Sequence, residues 1–277
     1  FEFLIAWRYL RSKRAEGGIS SMTWISLIGI SLSVFALIAT LSVRSGFRAE
    51  LVDTILGANA HVTVYKQPSK DNKGNVYRSF KDYESVNSII SSLNSVSRAA
   101  PLIRGQVMAS ANATTTGVDV FGISPENIVS IRRVSDPKTS SGDIRNFSNG
   151  LAIGSGVAQA LNVSVGDDIQ LISPTGVKTA FGTSPRVKTF EVQYIFTAGR
   201  YDMDKIRIYM PFKSAQKYFD RDNLADEIEV LVNQPDQIDK IVEELSSATE
   251  GKFLFWTWKD ASGNYLRALE IEDNVMF

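Results

Sequence analysis

The residues that could perform covalent or metal chemistry are few and are poorly spaced for it. The chain has no cysteine and a single histidine, His61, which excludes thiolate metal sites, cysteine nucleophiles and any site that needs two imidazoles. Gly154-Ser155-Gly156 has the spacing of neither a nucleophile elbow nor a dinucleotide-binding loop, and no phosphate-binding P-loop is present. The acidic pair Asp167-Asp168 fits a strand-entry turn better than a cation site. We therefore expect no catalytic residue, no metal site and no cofactor in this chain.

The stretch 174–188, PTGVKTAFGTSPRVK, has the composition of a binding element. It lies between two predicted strands and combines two prolines and two glycines with Phe181 and the bases Lys178, Arg186 and Lys188. A two-residue turn suffices to connect two strands, and a longer excursion more often carries function. Two interpretations remain at this point: a protruding arm for an acidic or hollow partner, or a disordered hairpin tip.

An apolar run near the N-terminus predicts a membrane span. Residues 24–43 number twenty and carry no charge. As a helix with ~1.5 Å rise per residue they would cover ~30 Å, about the thickness of a bilayer core. A buried core helix is seldom apolar for so long, and a cleaved signal peptide would have a shorter apolar region that ends in small residues. We assign residues 22–47 to a transmembrane helix.

The charges that flank this run predict its orientation. Basic residues close to it lie mainly on the N-terminal side: Arg8, Arg11, Lys13 and Arg14 precede it, and Arg44 and Arg48 follow it. The positive-inside rule therefore places the N-terminus in the cytoplasm and the long remainder outside. Residues 1–21 are expected to contain an amphipathic helix that lies in the inner membrane interface, or else an ordinary cytoplasmic extension of the span.

Small residues recur along one face of the predicted span. Their spacings of three and four residues place them on one helical stripe, and such stripes allow a second helix to approach closely in lipid. The stripe predicts helix partners in the membrane, although chance alone can produce such spacing. It consists of Ser26, Gly29, Ser33, Ala36 and Thr40.

The region outside the membrane is predicted to mix helices and strands. Hydrophobic periodicity gives a β-α-β unit within 48–112 and another within 223–258, which together would form one subdomain. Residues 113–222 are mostly β and would form an inserted β-rich subdomain that carries the hairpin 174–188. The predicted fold class is α+β. With 30 basic and 30 acidic residues, no net charge draws the chain to nucleic acid.

Several segments, taken in order, resemble the LolC/LolE permeases of the bacterial lipoprotein-releasing ABC transporter, within the wider MacB-like group. Their order and spacing are specific, although no single one is decisive. The segments are IAWRYLRSKR, LSVRSGFRAELVDTILGANAHV, VFGISPE, LAIGSGVAQALNVSVGDDIQLISPTG, AFGTSPRVKTFEV, YDMDKIRIYMP and LRALEIEDNVMF.

The resemblance implies a fold and a place in the cell. It implies an N-terminal transmembrane helix followed by a MacB-like periplasmic domain, made of a β-α-β porter-like part and an inserted β-rich part. It also implies further spans, so residues 259–277 are expected to form a helix that leads into a second span outside this sequence. The location implied is the bacterial inner membrane, with the large domain in the periplasm.

The resemblance further implies a function and partners. Such permeases take triacylated lipoproteins from the membrane and pass them to a LolA-like periplasmic carrier. A LolD-like ATPase dimer holds the ATP and magnesium, and a second permease copy or a sister permease completes the complex. The family's carrier-docking hook corresponds to Phe181, Gly182, Pro185, Arg186 and Lys188, where Lys188 replaces the usual arginine and lacks its two-pronged geometry.

The resemblance also places a lipoprotein acyl-chain cavity beside the first span, lined by Val43, Phe47 and Leu51. Arg44 stands where the family usually has an apolar residue, and a charge is costly in such a cavity unless it reaches the interface or an anionic headgroup. One alternative function has the same architecture: a MacB-like or cell-division mechanotransmission permease that does not handle lipoproteins. A single-span sensor or structural module is a third possibility.

Overall fold

The computed structural model describes residues 1, 2, 4, 5, 8, 17–70, 76, 77, 79–179 and 182–263. The chain forms two units, residues 1–53 and residues 54–277. The helices are α1 (Gly17–Ala58), α2 (Tyr83–Ser91), α3 (Pro125–Ile128), α4 (Ser155–Leu161), α5 (Tyr201–Asp204), α6 (Phe212–Tyr218), α7 (Ile238–Ala248) and α8 (Trp258–Ala261), with 3-10 turns at Ile144–Asn149 and Pro235–Gln237.

The strands are β1 (Val62–Lys66), β2 (Ser69–Lys70), β3 (Val76–Tyr77), β4 (Val96–Ala111), β5 (Thr114–Ile123), β6 (Ser140–Gly142), β7 (Leu151–Gly154), β8 (Asp168–Thr179), β9 (Gly182–Phe196), β10 (Arg207–Pro211), β11 (Glu227–Val232) and β12 (Phe253–Thr257). Ten of the described strands form one sheet, and β2 pairs with β3 alone.

Helix α1 contains the predicted span. Its segment Met22–Phe47 is long and apolar enough to cross a membrane, as judged by length and composition. Within it the hydroxyls of Ser33 and Thr40 each donate a 2.8 Å hydrogen bond to the carbonyl four residues earlier, at Gly29 and Ala36. These internal bonds satisfy the polar side chains without a partner helix. The helix predicted within residues 1–21 lies largely outside the described residues.

The first part of the sheet is built from two interleaved β-α-β units. The strand order is β12-β1-β11-β4, and each neighbouring pair is antiparallel. Strands β1 and β4, connected through α2, therefore run parallel with β11 between them. Strands β11 and β12, connected through α7, run parallel with β1 between them. This split arrangement contains both predicted β-α-β units and explains why neither could form a sheet by itself.

The second part of the sheet begins in β4. Residues Val96–Leu102 of β4 pair with β11, whereas Ile103–Ala111 pair with β5. The order then continues through β10, β7, β9 and β6, and β8 joins β4 and β9. Alternating side chains of these strands fill two cores on opposite faces. One core contains Val107, Ile153 and Met210, and the other contains Phe121, Ala152 and Tyr209.

Three local features emerge from the structure. Val86, Ile89 and Ile90 of α2 lie at helical spacing, and Val86 and Ile90 are buried while Ile89 is 42% exposed. The stretch 174–188 forms two paired strands with an irregularity at residues 174–176, and its tip lies outside the described residues. The Gly154-Ser155-Gly156 segment is a packing element, because a Cβ at Gly154 would collide with the backbone of Asp204. The division into subdomains at residues 112 and 222 stays a prediction.

Candidate functional site

A long hairpin of β8 and β9 occupies the predicted hook. Its register pairs Ser173 with Arg186 and Thr179 with Gly182, with an irregularity between Ser173 and Val177. Strand β8 pairs with β4 only over Gln170–Ile172. Beyond that point the two strands pair with each other, and six residues at ~3.4 Å per residue give ~20 Å of two-stranded arm. We call residues 173–186 the arm.

Arg186 fastens the base of the arm to a neighbouring helix. Its Nη1 atom donates to the carbonyl oxygens of Lys217 at 3.1 Å and Tyr218 at 2.6 Å, in the last turn of α6. Carbonyls at the C-terminus of a helix lack internal partners and carry partial negative charge, so a guanidinium is well suited to them. In this structure Arg186 therefore acts as an anchor of the arm.

Aromatic packing reinforces this anchor. The rings of Phe190 and Tyr218 meet edge to face with centroids 5.8 Å apart, and the Lys188 ammonium lies 4.9 Å from the Phe190 centroid. The Tyr218 hydroxyl is buried and has no hydrogen-bond partner among the residues that the structure describes. Burial raises the pKa of Tyr218 to about 12, against the opposing charge of Arg186. The base of the arm is thus a packed junction.

The opposite face of the hairpin carries an apolar row that the sequence did not reveal. In the register, Met108 on β4 lies beside Ile172 on β8, which lies beside Val187 on β9. Met108 is 51% exposed and Val187 is 54% exposed. We call these three residues the apolar row. Val187 belongs to the stretch 174–188, which lies between the predicted strands, so the sequence alone does not define the direction of its side chain.

The predicted hook residues therefore separate by position. Pro185 is exposed on β9, Arg186 and Lys188 share the face of β9 that also bears Phe190, and the backbone of Gly182 pairs at the far end of the arm. Phe181 lies outside the described residues. The hairpin brings these positions onto one element, with the two bases at its foot.

The predicted acyl-chain residues lie on α1. Val43 is 73% exposed and Phe47 is 64% exposed. Leu51 belongs to the same helix, and its side chain lies outside the described part of the structure. The small-residue stripe Ser26, Gly29, Ser33, Ala36 and Thr40 is exposed on this helix as well. Large apolar side chains exposed on a helix of this composition suit contact with lipid or with other apolar helices.

A row of charged side chains crosses the sheet where its two parts meet, and one pair in this row is buried. Arg98 and Glu229 form an ion pair of 3.4 Å with side chains only 9% and 10% exposed. Further along, the Arg104 and Arg207 guanidiniums lie 5.0 and 4.4 Å from the Phe121 ring centroid. The sequence did not predict this row, because the alternation of the apolar residues Ile228, Val230 and Val232 implies that the intervening Glu229 faces solvent.

His61 joins two strands at the start of β1. Its Nδ1 atom accepts a 3.0 Å hydrogen bond from the backbone N–H of Val232 on β11. Burial lowers the pKa of the His61 imidazole, and the positive charges of Arg98 and Arg132 lower it further. Both effects favour the neutral ring, whose Nδ1 lone pair the Val232 bond requires. His61 therefore helps to hold β1 and β11 together.

A helix able to span a membrane and a two-part mixed sheet with a projecting arm define a membrane-anchored chain with a large outer domain. The model of the MacB-like periplasmic core domain family matches residues 23–248. The chain belongs to that family. It is a membrane protein with a periplasmic domain, and the predicted α+β architecture is confirmed.

The named relatives are LolC and LolE proteins, which confirms the resemblance predicted from the sequence. The lipoprotein-releasing system transmembrane protein LolC of Neisseria meningitidis is 26% identical over 282 residues, covering 100% of this chain and 65% of the relative. LolC of Xylella fastidiosa is 27% identical over 275 residues, covering 98% and 64%. The chain thus spans slightly less than two thirds of the length of each of these relatives. The periplasmic region of MacB from Actinobacillus actinomycetemcomitans aligns with a TM-score of 0.47 at 10% identity, over 78% of this chain and 97% of that one.

Proposed function

We propose that the chain is a permease subunit of an ABC transporter that extracts lipoproteins from the bacterial inner membrane and passes them to a periplasmic carrier. The observation that carries this proposal is the similarity to LolC proteins over 98–100% of the chain. The membrane helix and the projecting arm are the two parts that such a task requires, one in the lipid and one in the periplasm.

The arm is the proposed docking element for a LolA-like carrier. Gly182 belongs to its far end and Pro185 is exposed next to its base, where a partner could reach them, and Phe181 is proposed as a further contact although it lies outside the described residues. Arg186 and Lys188 lie at its base, and Arg186 is bonded to α6. We propose that Arg186 serves docking mainly by holding the arm in place, and that the apolar row adds contact area beside it. A carrier that receives acyl chains must itself present apolar surface near its opening.

Acyl chains would leave the bilayer along α1. Exposing a lipid chain to water costs ~0.8 kcal/mol per CH₂, so extraction requires an apolar surface that receives the chains first. Val43, Phe47 and Leu51 would supply part of that surface next to the outer membrane face. The stripe from Ser26 to Thr40 would pack against helices of a second permease copy or a sister permease.

Energy for release would come from a partner. We propose that a LolD-like ATPase dimer holds the ATP and magnesium, and that this chain binds no cofactor of its own. A permanently open apolar cavity would retain the acyl chains. An ATP-driven movement of the membrane spans would close the cavity and release them. The permease thus changes the affinity for lipoproteins and catalyses no covalent step.

Site-specific photo-crosslinking tests the docking step. A photoreactive phenylalanine at position 181 should crosslink to a LolA-like carrier, and the same residue in place of Trp256, which is 50% exposed on β12, should not. A complex that assembles with its ATPase, yet gives equal or no crosslinking at both positions, would contradict carrier docking. That result would favour a MacB-like mechanotransmission permease without lipoprotein cargo.

A further inference from the structure

The segment that follows α6, residues 219–226, is fixed to that helix by hydrogen bonds; we call it the connector. The backbone N–H of Arg221 donates to the carbonyl oxygen of Gln216 at 2.8 Å. The Gln216 side chain, which is buried, donates through Nε2 to the carbonyl oxygen of Leu224 at 2.9 Å. The connector therefore continues the end of α6, where the carbonyl oxygens that bind Arg186 lie.

Asp226, the last residue of the connector, is a buried carboxylate with three donors. Its Oδ1 atom accepts from the Ser79 hydroxyl at 2.5 Å and from the Arg221 guanidinium, and its Oδ2 atom accepts from the backbone N–H of Arg104 at 2.9 Å. Its own backbone N–H donates to the carbonyl oxygen of Leu102 at 2.8 Å. Hydrogen bonds to a charged acceptor are about twice as strong as neutral ones, so this carboxylate holds three separate chain segments together.

Two of these segments belong to the first part of the sheet. Ser79 precedes α2, and its neighbour Phe80 exchanges two backbone hydrogen bonds with Ala225 of the connector, at 2.9 and 3.1 Å. The rings of Phe80 and Phe253 on β12 meet edge to face with centroids 5.4 Å apart. Strand β4, which supplies the other contacts of Asp226, crosses from the first part of the sheet to the second. The connector is thus tied to the first part, whereas the strands of the arm belong to the second.

We propose that Asp226 is a positioning residue for the arm, and the functional meaning of this role rests on the proposed docking of a carrier. Arg186 binds the carbonyl oxygens of Lys217 and Tyr218, directly before the connector. Asp226 holds the connector, the connector holds the end of α6, and α6 holds the base of the arm. The first part of the sheet therefore sets the direction in which the arm meets its partner.

Amide hydrogen exchange of the detergent-solubilised full chain tests the proposal. Asp226→Asn keeps the size of the side chain and one acceptor oxygen but removes the charge. Exchange over residues 173–179 should become about tenfold faster, since hydrogen bonds to a charged group are lost. The matched control is Asp204→Asn, because Asp204 is also a buried carboxylate that accepts backbone N–H bonds, at the other end of β9. This control should leave exchange in the arm unchanged.

Two further variants separate positioning from a general loss of stability. Arg186→Met removes the anchor, so Asp226→Asn should add little to the exchange rate of the arm in that background, because two changes that act through one contact are not additive. Arg221→Gln removes one partner of Asp226 from a side chain that is 34% exposed, and it should accelerate exchange by about threefold.

Each result decides the proposal. Faster exchange in the arm of Asp226→Asn but not of Asp204→Asn, with no further effect beside Arg186→Met, supports it. Wild-type exchange in Asp226→Asn, an increase that Asp204→Asn shares, full additivity with Arg186→Met, or a wild-type arm without protection would overturn it. If Asp226→Asn fails to fold, Arg221→Gln decides by the same comparisons. Carrier crosslinking from position 181 is a separate measurement, so its absence would contradict docking while exchange still decides the role of Asp226.

Discussion

Glu227 makes the stability of the outer domain depend on pH in a way that one substitution can isolate. It lies on β11 opposite Tyr65 of β1 and Leu102 of β4. Burial raises the pKa of the Glu227 carboxyl to about 7, and the charges of Glu229 and Asp226 add to the effect of burial against the guanidinium of Arg104. Glu227→Gln keeps the shape of the protonated acid and removes the titration.

The sign follows from the direction of this shift. The folded state holds the Glu227 proton more tightly than the unfolded chain, so its contribution to stability is fully present below about pH 4.5 and is lost as the pH rises through 7. A shift from 4.5 to about 7 corresponds to about 3 kcal/mol at most, at ~1.4 kcal/mol per pH unit. Glu227→Gln should therefore be more stable than the wild type above pH 7 and similar to it near pH 4.5.

Thermal unfolding between pH 4.5 and 8.5 measures this difference. A change of about 3 kcal/mol corresponds to a Tm difference of about 6–12 °C for a domain of this size. The matched control is Glu243→Gln, which changes an exposed carboxylate on α7. A Glu227→Gln protein whose Tm follows the wild-type curve at every pH would show that Glu227 is solvated and would refute the reasoning.

Three further substitutions test separate parts of the structure. Arg186→Glu should free the arm from α6, because it replaces charged hydrogen bonds worth about 1.5–3 kcal/mol with a carboxylate that the carbonyl oxygens of α6 repel. Amide hydrogen exchange over residues 173–179 should then become faster, and Arg186→Lys should give an intermediate rate. Arg98→Met alone should lower the unfolding free energy by about 3–5 kcal/mol because Glu229 loses its partner, whereas Arg98→Met with Glu229→Met should restore most of it; equal effects would contradict a buried pair. Gly154→Ala should cost about 1–3 kcal/mol in denaturant unfolding, because its Cβ meets the Asp204 backbone, whereas alanine at Gly29, which has open space around it, should cost little.

Periodicity predicted the elements well where one face of each is buried. A strand, a helix and a second strand form within 223–258 as the periodicity predicts, and the apolar run lies in the long helix α1. The way in which the two β-α-β units pair could not be predicted from periodicity, because each unit inserts one strand between the two strands of the other. That contact joins residues more than 150 positions apart, such as Val62 and Val230, and no local pattern records it.

The sequence predicts where the candidate site lies, but it does not predict what each residue of the site does. The composition of 174–188 located the arm, but its register decides which side chains share a face. The pairing of Ser173 with Arg186 places the Arg186 guanidinium on the face of the hairpin next to α6 and the Val187 side chain on the opposite face. Periodicity predicts that charged residues face solvent, but Arg98 and Glu229 are buried. They can be buried because each side chain forms an ion pair with the other.

Anchoring the arm has a consequence for how a carrier would be recognised. A free two-stranded ribbon is marginally stable in water, and a partner that binds it must bear the entropic cost of ordering it. Arg186 and the Phe190–Tyr218 contact fix the base of the arm on α6. The arm is therefore ordered before the carrier binds, and the carrier does not have to supply the free energy of ordering it. If Arg186 acts as this anchor, its loss should slow or weaken carrier capture while leaving the tip residues chemically intact. Restoring order to the arm by a second route, such as a cross-strand disulfide between Ser173→Cys and Arg186→Cys, should then recover capture without the guanidinium. Failure of the disulfide-linked arm to capture the carrier would show that order within the ribbon is not enough and that the Arg186 side chain itself is required, either in its bonds to α6 or on the carrier.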